Sequence, residues 1–209
     1  PSRSMPRSEA AAIFARLLAE KNGDTISTAA NTKFADIPAH AWYSGYVKYL
    51  SNNGITYGKS KTIFAPNDAI TRAEFTTMAV RFFDVYGDGD AEIMEQFSGF
   101  NDVSSGYWAA EYIKYAALHG WINGYGDGSF HAEREINRAE VVTIVNRLLG
   151  READEDYIAD NLRKLNTFPD VSRKHWAYYA VMEAANAHTA VLGESLSLIH
   201  ISEPTRRVV

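Results

Sequence analysis

The amino-acid sequence predicts an all-α fold built from repeated helix–loop–helix units. Tryptophan recurs at Trp42, Trp108 and Trp176, at intervals of 66 and 68 residues. An Arg-x-Glu triplet begins at Arg7, and two more begin 30 residues after the first two tryptophans, at Arg72 and Arg138. Apolar residues at helical spacing follow each triplet. Because these landmarks keep their register through two units, we interpret them as internal repeats.

The landmarks divide the 209-residue chain into two complete repeats, two half repeats and two connectors. The two half repeats are complementary, so we hypothesise that they pair and complete a third unit. The final residues break the repeat and resemble a translated sequencing adapter, and we expect them not to be native. The predicted segments are 1–24 (second half of a repeat), 33–86 (complete repeat), 87–99 (connector), 99–150 (complete repeat), 151–167 (connector with a short helix), 168–193 (first half of a repeat) and 194–209 (tail).

One helix of each unit is expected to begin at the Arg-x-Glu triplet. Thr71 and Glu74 have the spacing of a capping box, in which each side chain bonds to a free amide of the first turn. Asn137 and Glu140 have the same spacing, and asparagine is also a favoured N-cap residue. Pro6 takes the cap position before the first helix and suits a first turn. Apolar stripes then predict one buried face per helix, so that three equivalent helices share a core; the stripes are Ala10, Ile13, Phe14 and Leu17, then Phe75, Met78, Ala79 and Phe82, then Val141, Ile144, Val145 and Leu148.

The other helix of each unit is expected to begin at the tryptophan and to end at a glycine. Gly54 and Gly120 would supply the left-handed C-terminal cap. A glycine-rich tight turn or small hairpin follows, and its clearest signal is the step Asp127-Gly128. An extended loop then leads to the next Arg-x-Glu helix. Each unit therefore consists of a helix, a glycine turn, a loop and a second helix.

Composition excludes several classes of protein. The chain has no cysteine, which rules out a disulfide scaffold and thiolate metal sites. The net charge of −5 argues against nucleic acid as a partner, since phosphate binding needs clustered lysine and arginine. No apolar run approaches the roughly 20 residues that span a bilayer. Because the first residue is Pro1 rather than methionine, we expect a fragment, and the missing signal peptide says nothing about export.

The ordered set of motifs resembles the S-layer homology module of bacterial cell-surface proteins. The resemblance implies a pseudo-threefold helical core with binding grooves between adjacent lobes. It also implies noncovalent attachment to the cell wall through a secondary wall polysaccharide that carries pyruvate ketals, and hence an extracellular location at the wall or cell surface. The matching residues are Phe34, Asp36, Trp42, Gly54, Gly58, Phe64, Pro66 and 71–74 in the first complete repeat, and Phe100, Asp102, Trp108, Gly120, Gly124, Asp127, Gly128, Phe130 and 137–140 in the second.

The implied partner is the polysaccharide attached to peptidoglycan. An acidic sugar polymer needs a fixed cation, preferably a guanidinium, together with aromatic surface and closely approaching backbone. Arginine in the first turn of a helix also lies at the positive end of the helix dipole. The predicted carbohydrate-binding residues are Arg72, Arg138, Arg7, Gly58, Gly124, Tyr125, Trp42 and Trp108. The alternative function is protein–protein assembly in a surface lattice, with surface-layer proteins as partners.

Some of these residues also fit a purely structural role. The tryptophans can pack in the core with the indole N–H satisfied, and we favour that placement over sugar stacking. Glu74 and Glu140 are expected to be helix caps, with Thr71 and Asn137, rather than ligand or catalytic groups. Three aspartates are expected to accept hydrogen bonds, and three phenylalanines to anchor the core; these are Asp36, Asp102, Asp170, Phe34, Phe100 and Phe168.

Two other kinds of site fit the sequence less well. Residues 84–95 match positions 1, 5, 6 and 12 of a calcium-binding EF-hand loop, but Tyr86 replaces the oxygen ligand at position 3, so a solvated acidic linker is favoured. The histidines show no metal-ligand spacing, and no Gly-x-Ser-x-Gly motif occurs. We therefore expect a chain that is not an enzyme and that holds no cofactor or metal.

Overall fold

The computed structural model describes residues 1–87 and 97–186, which contain seven α-helices and no strand. The predicted all-α class is confirmed. Of the helices in these ranges, none is long and apolar enough to cross a membrane. The helices are α1 (Arg7–Asn22), α2 (Ser44–Asn52), α3 (Arg72–Tyr86), α4 (Ala110–Leu118), α5 (Arg138–Leu148), α6 (Glu155–Asn161) and α7 (Tyr178–Ala185).

The described residues belong to two compact units. One unit comprises residues 2–87 and 97–141, and the other comprises Pro1 with residues 142–186. In the second unit, Ile158 of α6 packs with Tyr178 and Met182 of α7 in an apolar cluster. The helix α6 lies in the connector for which a short helix was predicted. The predicted tail falls outside the described residues.

The Arg-x-Glu helices begin where the sequence predicts. At the start of α3, the Thr71 hydroxyl accepts a hydrogen bond from the Glu74 N–H, and the Glu74 carboxylate accepts one from the Thr71 N–H, which completes a capping box. Asn137 and Glu140 make the same two bonds at the start of α5. Pro6 precedes α1 and makes no side-chain cap. Local hydrogen bonding therefore explains where α3 and α5 begin.

The second set of helices begins two residues later than predicted. Trp42, Trp108 and Trp176 lie in turns just before α2, α4 and α7. In each turn the backbone bonds three residues back before the helix starts, as in the bond from the Ser44 N–H to the Ala41 carbonyl at 2.9 Å. The predicted helix ends hold, because Gly54 and Gly120 follow α2 and α4 with φ of 73° and 68°.

Helix α1 packs against both α2 and α3, and α3 also packs against α4. Each of these Arg-x-Glu helices therefore pairs with the tryptophan-led helix of the following repeat. Within the larger unit, the neighbours of α1 are α2 and α3. Burial of α1 consequently extends beyond the predicted stripe to Ala11, Ala15 and Leu18, while Ile13 and Leu17 are only half-buried. A helix with neighbours on two sides needs a wider apolar surface. The pairing expected between residues 1–24 and the helix after Trp176 would join the two units and stays a prediction.

The segments that lead into α1, α3 and α5 meet in a closed ring of backbone hydrogen bonds. The Met5 N–H donates to the Ile136 carbonyl at 3.0 Å, the Ile136 N–H to the Ile70 carbonyl at 3.0 Å, and the Ile70 N–H to the Met5 carbonyl at 2.8 Å. All three side chains are buried. The ring brings the first turns of the three Arg-x-Glu helices together, in agreement with the threefold core that the resemblance implies.

Aspartate side chains join the start of each complete repeat to the loop after its glycine turn. The Asp36 carboxylate accepts from the N–H groups of Phe64 and Ala65 at 2.9 and 2.6 Å. Asp102 accepts the two equivalent bonds in the second repeat, both at 2.7 Å. The third aspartate, Asp170, pairs with the amino terminus at 3.0 Å. All three act as the acceptors that the sequence predicts.

The phenylalanines that open the repeats pack to different depths. Phe34 is buried, and its ring centroid lies 5.5 Å from that of Phe64. Phe100 is half-buried and stacks on Phe130 at 5.2 Å. Phe168 is half-buried against the apolar cluster around Ile158. In the two complete repeats, the opening phenylalanine therefore supports the loop of its own repeat.

Candidate functional site

Three ion pairs connect the Arg-x-Glu motifs in a closed cycle. Nη1 of Arg7 lies 2.9 Å from the Glu74 carboxylate, and Nη1 of Arg72 lies 3.0 Å from that of Glu140. Nη1 of Arg138 closes the cycle on Glu9 at 3.0 Å. Each arginine thus pairs with the glutamate of another repeat. Within this cycle, Glu74 and Glu140 are both helix caps and partners of a cation.

The three predicted charge contacts differ in how far they reach solvent. The side chains of Arg7 and Arg72 are 4% and 6% exposed, and that of Arg138 is 24% exposed. Nε of Arg7 donates to the Phe64 carbonyl, and Nε of Arg72 to the Phe130 carbonyl, both at 2.8 Å. Burial lowers the pKa of the Arg72 guanidinium from its usual value, but an arginine remains charged at neutral pH.

Tyr125 covers the Arg72 ion pair. Its ring centroid lies 5.1 Å from the Arg72 guanidinium carbon, and its hydroxyl donates to the Glu140 carboxylate at 3.2 Å. Arg134 also bonds to the Glu140 carboxylate, and Nη2 of Arg72 donates to the Asn123 carbonyl at 3.1 Å. Arg72 is therefore enclosed by protein groups, and Tyr125 forms part of that enclosure.

An open cleft of about 360 Å³ lies between the two complete repeats. The first repeat contributes its glycine turn and α3, and the second contributes Trp108 and Glu133. We call it the interrepeat cleft. It is lined by Arg7, Ile55, Thr56, Tyr57, Gly58, Lys59, Glu74, Thr77, Met78, Arg81, Trp108 and Glu133.

Arg81 is a cleft residue that the sequence analysis missed. Its half-buried guanidinium carbon lies 4.7 Å from the ring centroid of Tyr57 and 4.9 Å from that of Tyr112. Nε and Nη2 both donate to the Tyr112 hydroxyl, at 3.3 and 3.2 Å. A signal was present, since Arg16, Arg81 and Arg147 each follow the arginine of an Arg-x-Glu triplet by nine residues.

The tryptophans are not core residues, which corrects the placement that we favoured. The exposed fractions of Trp42, Trp108 and Trp176 are 52%, 55% and 64%. The reason is local, because each tryptophan lies in the turn before its helix rather than on a buried helical face. Trp108 is the tryptophan that lines the interrepeat cleft.

The charges that line the cleft are mixed. Arg7 and Glu74 neutralise each other, and Lys59 pairs with Asp68 at 3.2 Å near the surface. Glu133 accepts a hydrogen bond from the Tyr107 hydroxyl, and burial together with this carboxylate raises the pKa of Tyr107. Three cations and two carboxylates line the cleft, which leaves it with a net positive charge.

The glycines of the two turns are required by packing inside the protein. A Cβ atom on Gly58 would lie 2.5 Å from the Phe34 ring, and one on Gly124 would lie 2.4 Å from the Phe100 ring. Gly58 also has a φ of +79°. Both glycines thus seat the phenylalanine that opens their repeat, whether or not a ligand also approaches them.

Metal binding finds no support in the described part of the chain. Residues 1–87 and 97–186 contain no group of three or more histidine, aspartate or glutamate side chains that could hold an ion. The EF-hand-like segment 84–95 falls mostly outside those residues.

Comparison with known proteins identifies the repeats. The profile of the S-layer homology domain matches residues 33–76 and 99–142. The chain is 32% identical over 200 residues to cell surface glycoprotein 1 of Acetivibrio thermocellus, covering 92% of this chain and 8% of that protein. It is 29% identical over 197 residues to the cellulosome-anchoring protein of the same organism, covering 93% of this chain and 41% of that protein.

Enzymes are also among the similar proteins. The chain is 32% identical over 149 residues to exoglucanase XynX of Acetivibrio thermocellus, covering 71% of this chain and 13% of that protein. The chain therefore spans less than half the length of each of these three relatives. The profile matches at both complete repeats, together with relatives among cell-surface and anchoring proteins, show that the chain belongs to the S-layer homology domain family.

Proposed function

We propose that this chain anchors its parent protein noncovalently to the bacterial cell wall by binding an acidic wall polysaccharide in the interrepeat cleft. The observation that carries the proposal is Arg81, whose half-buried guanidinium carbon lies 4.7 and 4.9 Å from the ring centroids of Tyr57 and Tyr112 at the wall of an open cleft. The proposed location is the cell surface, which agrees with the names of relatives such as the cellulosome-anchoring protein.

The cleft supplies a cation suited to a carboxylate. A guanidinium can donate two parallel hydrogen bonds to a carboxylate, as a pyruvate ketal would require. Tyr112 accepts from Nε and Nη2 of Arg81 and holds the group in one orientation. The ring centroids of Tyr57 and Tyr112 lie 4.7 and 4.9 Å from the guanidinium carbon, and the rings attract its charge without neutralising it. Arg81 is therefore preorganised for an anionic ligand.

The cleft also supplies aromatic surface. Trp108 and Tyr57 are each 55% exposed and line the cleft with Arg81. Large aromatic rings that stay half exposed in the free protein can cover the apolar face of a sugar and still bond through their polar edges. A sugar ring between Trp108 and Tyr57 would bring its acidic substituent toward Arg81.

Among the arginines that the sequence predicts as contacts, Arg72 and Arg138 are not equivalent. All three nitrogens of the Arg72 guanidinium donate to protein acceptors, and its side chain is 6% exposed. Arg138 is 24% exposed and remains a candidate contact. We therefore assign the main charge contact to Arg81 and a supporting structural role to Arg72 and Arg7.

The test uses a matched pair of variants. Arg16 occupies the position of Arg81 in its own repeat and makes the same bonds to a tyrosine, at 3.3 and 3.2 Å from the Tyr46 hydroxyl, but it does not line the cleft. Arg81→Gln should reduce co-sedimentation with purified cell-wall sacculi by at least about tenfold, the loss expected when a charge-assisted pair is removed. Arg16→Gln should bind as the unmodified chain does.

Chemical treatment of the sacculi distinguishes polysaccharide binding from protein–protein assembly, the two functions that the sequence leaves open. Removing pyruvate ketals from the sacculi with mild acid should abolish binding of the unmodified chain. Equal binding to sacculi stripped of polysaccharide would contradict the proposal and favour a protein assembly module. Equal loss in the Arg81 and Arg16 variants would show that the interrepeat cleft is not the site.

A further inference from the structure

A second hollow, also of about 360 Å³, adjoins the interrepeat cleft. Tyr57 and Gly58 line both spaces, so the two are separated by one short stretch of the glycine turn. We call the second space the lysine hollow. It is lined by Lys33, Tyr57, Gly58, Ser60 and Lys61.

The lining of the lysine hollow is cationic. Lys33 and Lys61 are both exposed, and no acidic residue lines the space. The Lys33 ammonium lies 5.1 Å from the ring centroid of Phe34 and 5.7 Å from that of Tyr57. Ammonium groups at this distance from an aromatic face are attracted to it, which favours a position of Lys33 beside Tyr57.

Tyr57 connects the two spaces physically. Its ring lies near Arg81 on the cleft side, at 4.7 Å, and near Lys33 in the lysine hollow, at 5.7 Å. Gly58 has a φ of +79° and no room for a side chain, so nothing projects from it between the two spaces. A polymer in the cleft could therefore continue over Gly58 past an exposed aromatic ring.

The fold does not require these two lysines. The positions that correspond to Lys33 and Lys61 in the second complete repeat are Gly99 and Asp127, when the repeats are aligned on their opening phenylalanines and turn glycines. The second repeat closes its own glycine turn with an acidic residue at the position of Lys61. Of the two complete repeats, only the first carries positive charge at these two positions, so the fold of the repeat does not explain the lysines.

We propose that the lysine hollow is a second anion subsite, which binds a carboxylate or phosphate on a neighbouring sugar of the same polysaccharide chain that occupies the cleft. This inference rests on the proposed function. It makes the preferred ligand a polymer with repeated negative charge rather than a single acidic sugar. Two simultaneous contacts on one chain raise affinity because the second contact is made at a high effective concentration.

The test compares two probes by isothermal titration calorimetry. One is acidic polysaccharide released from the bacterial sacculi with which the unmodified chain co-sediments, and the other is a methyl glycoside with a single pyruvate ketal. Lys33→Gln with Lys61→Gln should weaken polymer binding roughly tenfold and leave the glycoside affinity unchanged. Polymer binding by this variant should also depend less steeply on salt concentration, because fewer charges are screened. The control, Lys48→Gln with Lys114→Gln, removes two exposed lysines from α2 and α4.

The outcomes separate this inference from the proposed function. The second subsite would be overturned if the Lys33 and Lys61 variant kept its polymer affinity while Arg81→Gln lost it. That result would still support binding in the interrepeat cleft. An equal effect of the control variant would overturn the subsite as well, since the effect would then be one of net charge. Failure of the unmodified chain to bind either probe would overturn both. Circular dichroism melting of each variant checks that it folds.

Discussion

Arg7 and Glu74 form an ion pair at 2.9 Å although one begins the first helix of the chain and the other lies in the first turn of α3. The Arg7 side chain is 4% exposed, so this cation is almost completely removed from water. Taking a charge out of water is costly unless it is paired and hydrogen-bonded. The same relationship joins Arg72 to Glu140. We therefore interpret the arginine of the Arg-x-Glu motif first as a connection between repeats.

The first prediction concerns Arg72. Arg72→Ala should lower the free energy of unfolding by about 2–4 kcal/mol, because the carbonyls of Phe130 and Asn123 lose their buried donor and Glu140 loses one of its two arginine partners. Urea denaturation followed by circular dichroism measures the loss. Arg3→Ala is the control, since Arg3 is 62% exposed and pairs with Glu9 at the surface, where a pair contributes less than about 1 kcal/mol. Similar losses in both variants would contradict the structural role of Arg72.

Local signals in the sequence predicted where the Arg-x-Glu helices begin and where α2 and α4 end. They did not predict which side chains of different repeats form ion pairs. The capping box at Thr71 and the stop at Gly54 depend on residues within one helical turn, so spacing alone reveals them. The pairing of Arg72 with Glu140 depends on which repeats become neighbours, and it joins residues 68 positions apart. Sequence spacing indicated a charge near a helix start but could not show that another repeat already neutralises it.

In the candidate site, too, the sequence indicated individual residues but not the contacts between distant parts of the chain. Trp108 was recognised as a repeated residue, but its exposure follows from a turn that delays the start of α4 by two residues. Arg81 recurs in every Arg-x-Glu helix at the same offset, yet the recurrence has no meaning until α3 and α4 pack and Tyr112 is seen to bond with it. The repeat pattern therefore marks Trp108 and Arg81 as recurring residues, but their exposure and contacts follow from the packing of the helices.

The second prediction separates two tryptophans of equal exposure. Trp108→Ala should weaken binding to purified wall polysaccharide roughly tenfold, since Trp108 is 55% exposed and lines the interrepeat cleft. Trp42 is 52% exposed and does not line it, so Trp42→Ala should bind normally. Both variants should unfold within about 1 kcal/mol of the unmodified chain, because neither side chain is in the core. Loss of binding in both would refute the assignment to this cleft.

The third prediction concerns the glycine turn. Gly58→Ala should destabilise the protein by about 2–4 kcal/mol, since alanine would have to adopt a φ of +79° and place its Cβ 2.5 Å from the Phe34 ring. Gly126 lies in the corresponding turn, where a Cβ atom would meet nothing within 4 Å, so Gly126→Ala should be nearly neutral. Thermal melting distinguishes the two. An equally stable Gly58 variant would show that the Phe34 ring moves at little cost.

The last prediction is a dependence on pH that originates at Asp102. Burial opposes the charged form, but the N–H groups of Phe130 and His131 bond to the carboxylate and lower the pKa of Asp102 below its usual value of 3.8. A lowered folded-state pKa means that the ionised carboxylate contributes its full stability above about pH 4 and loses it as the pH falls further. Asp102→Asn should therefore cost about 1–2 kcal/mol at pH 7 and clearly less at pH 3. Urea denaturation of the unmodified chain and of Asp102→Asn at the two pH values measures this difference. A cost that is the same at pH 7 and pH 3 would mean that the two loop hydrogen bonds do not depend on the charge of Asp102.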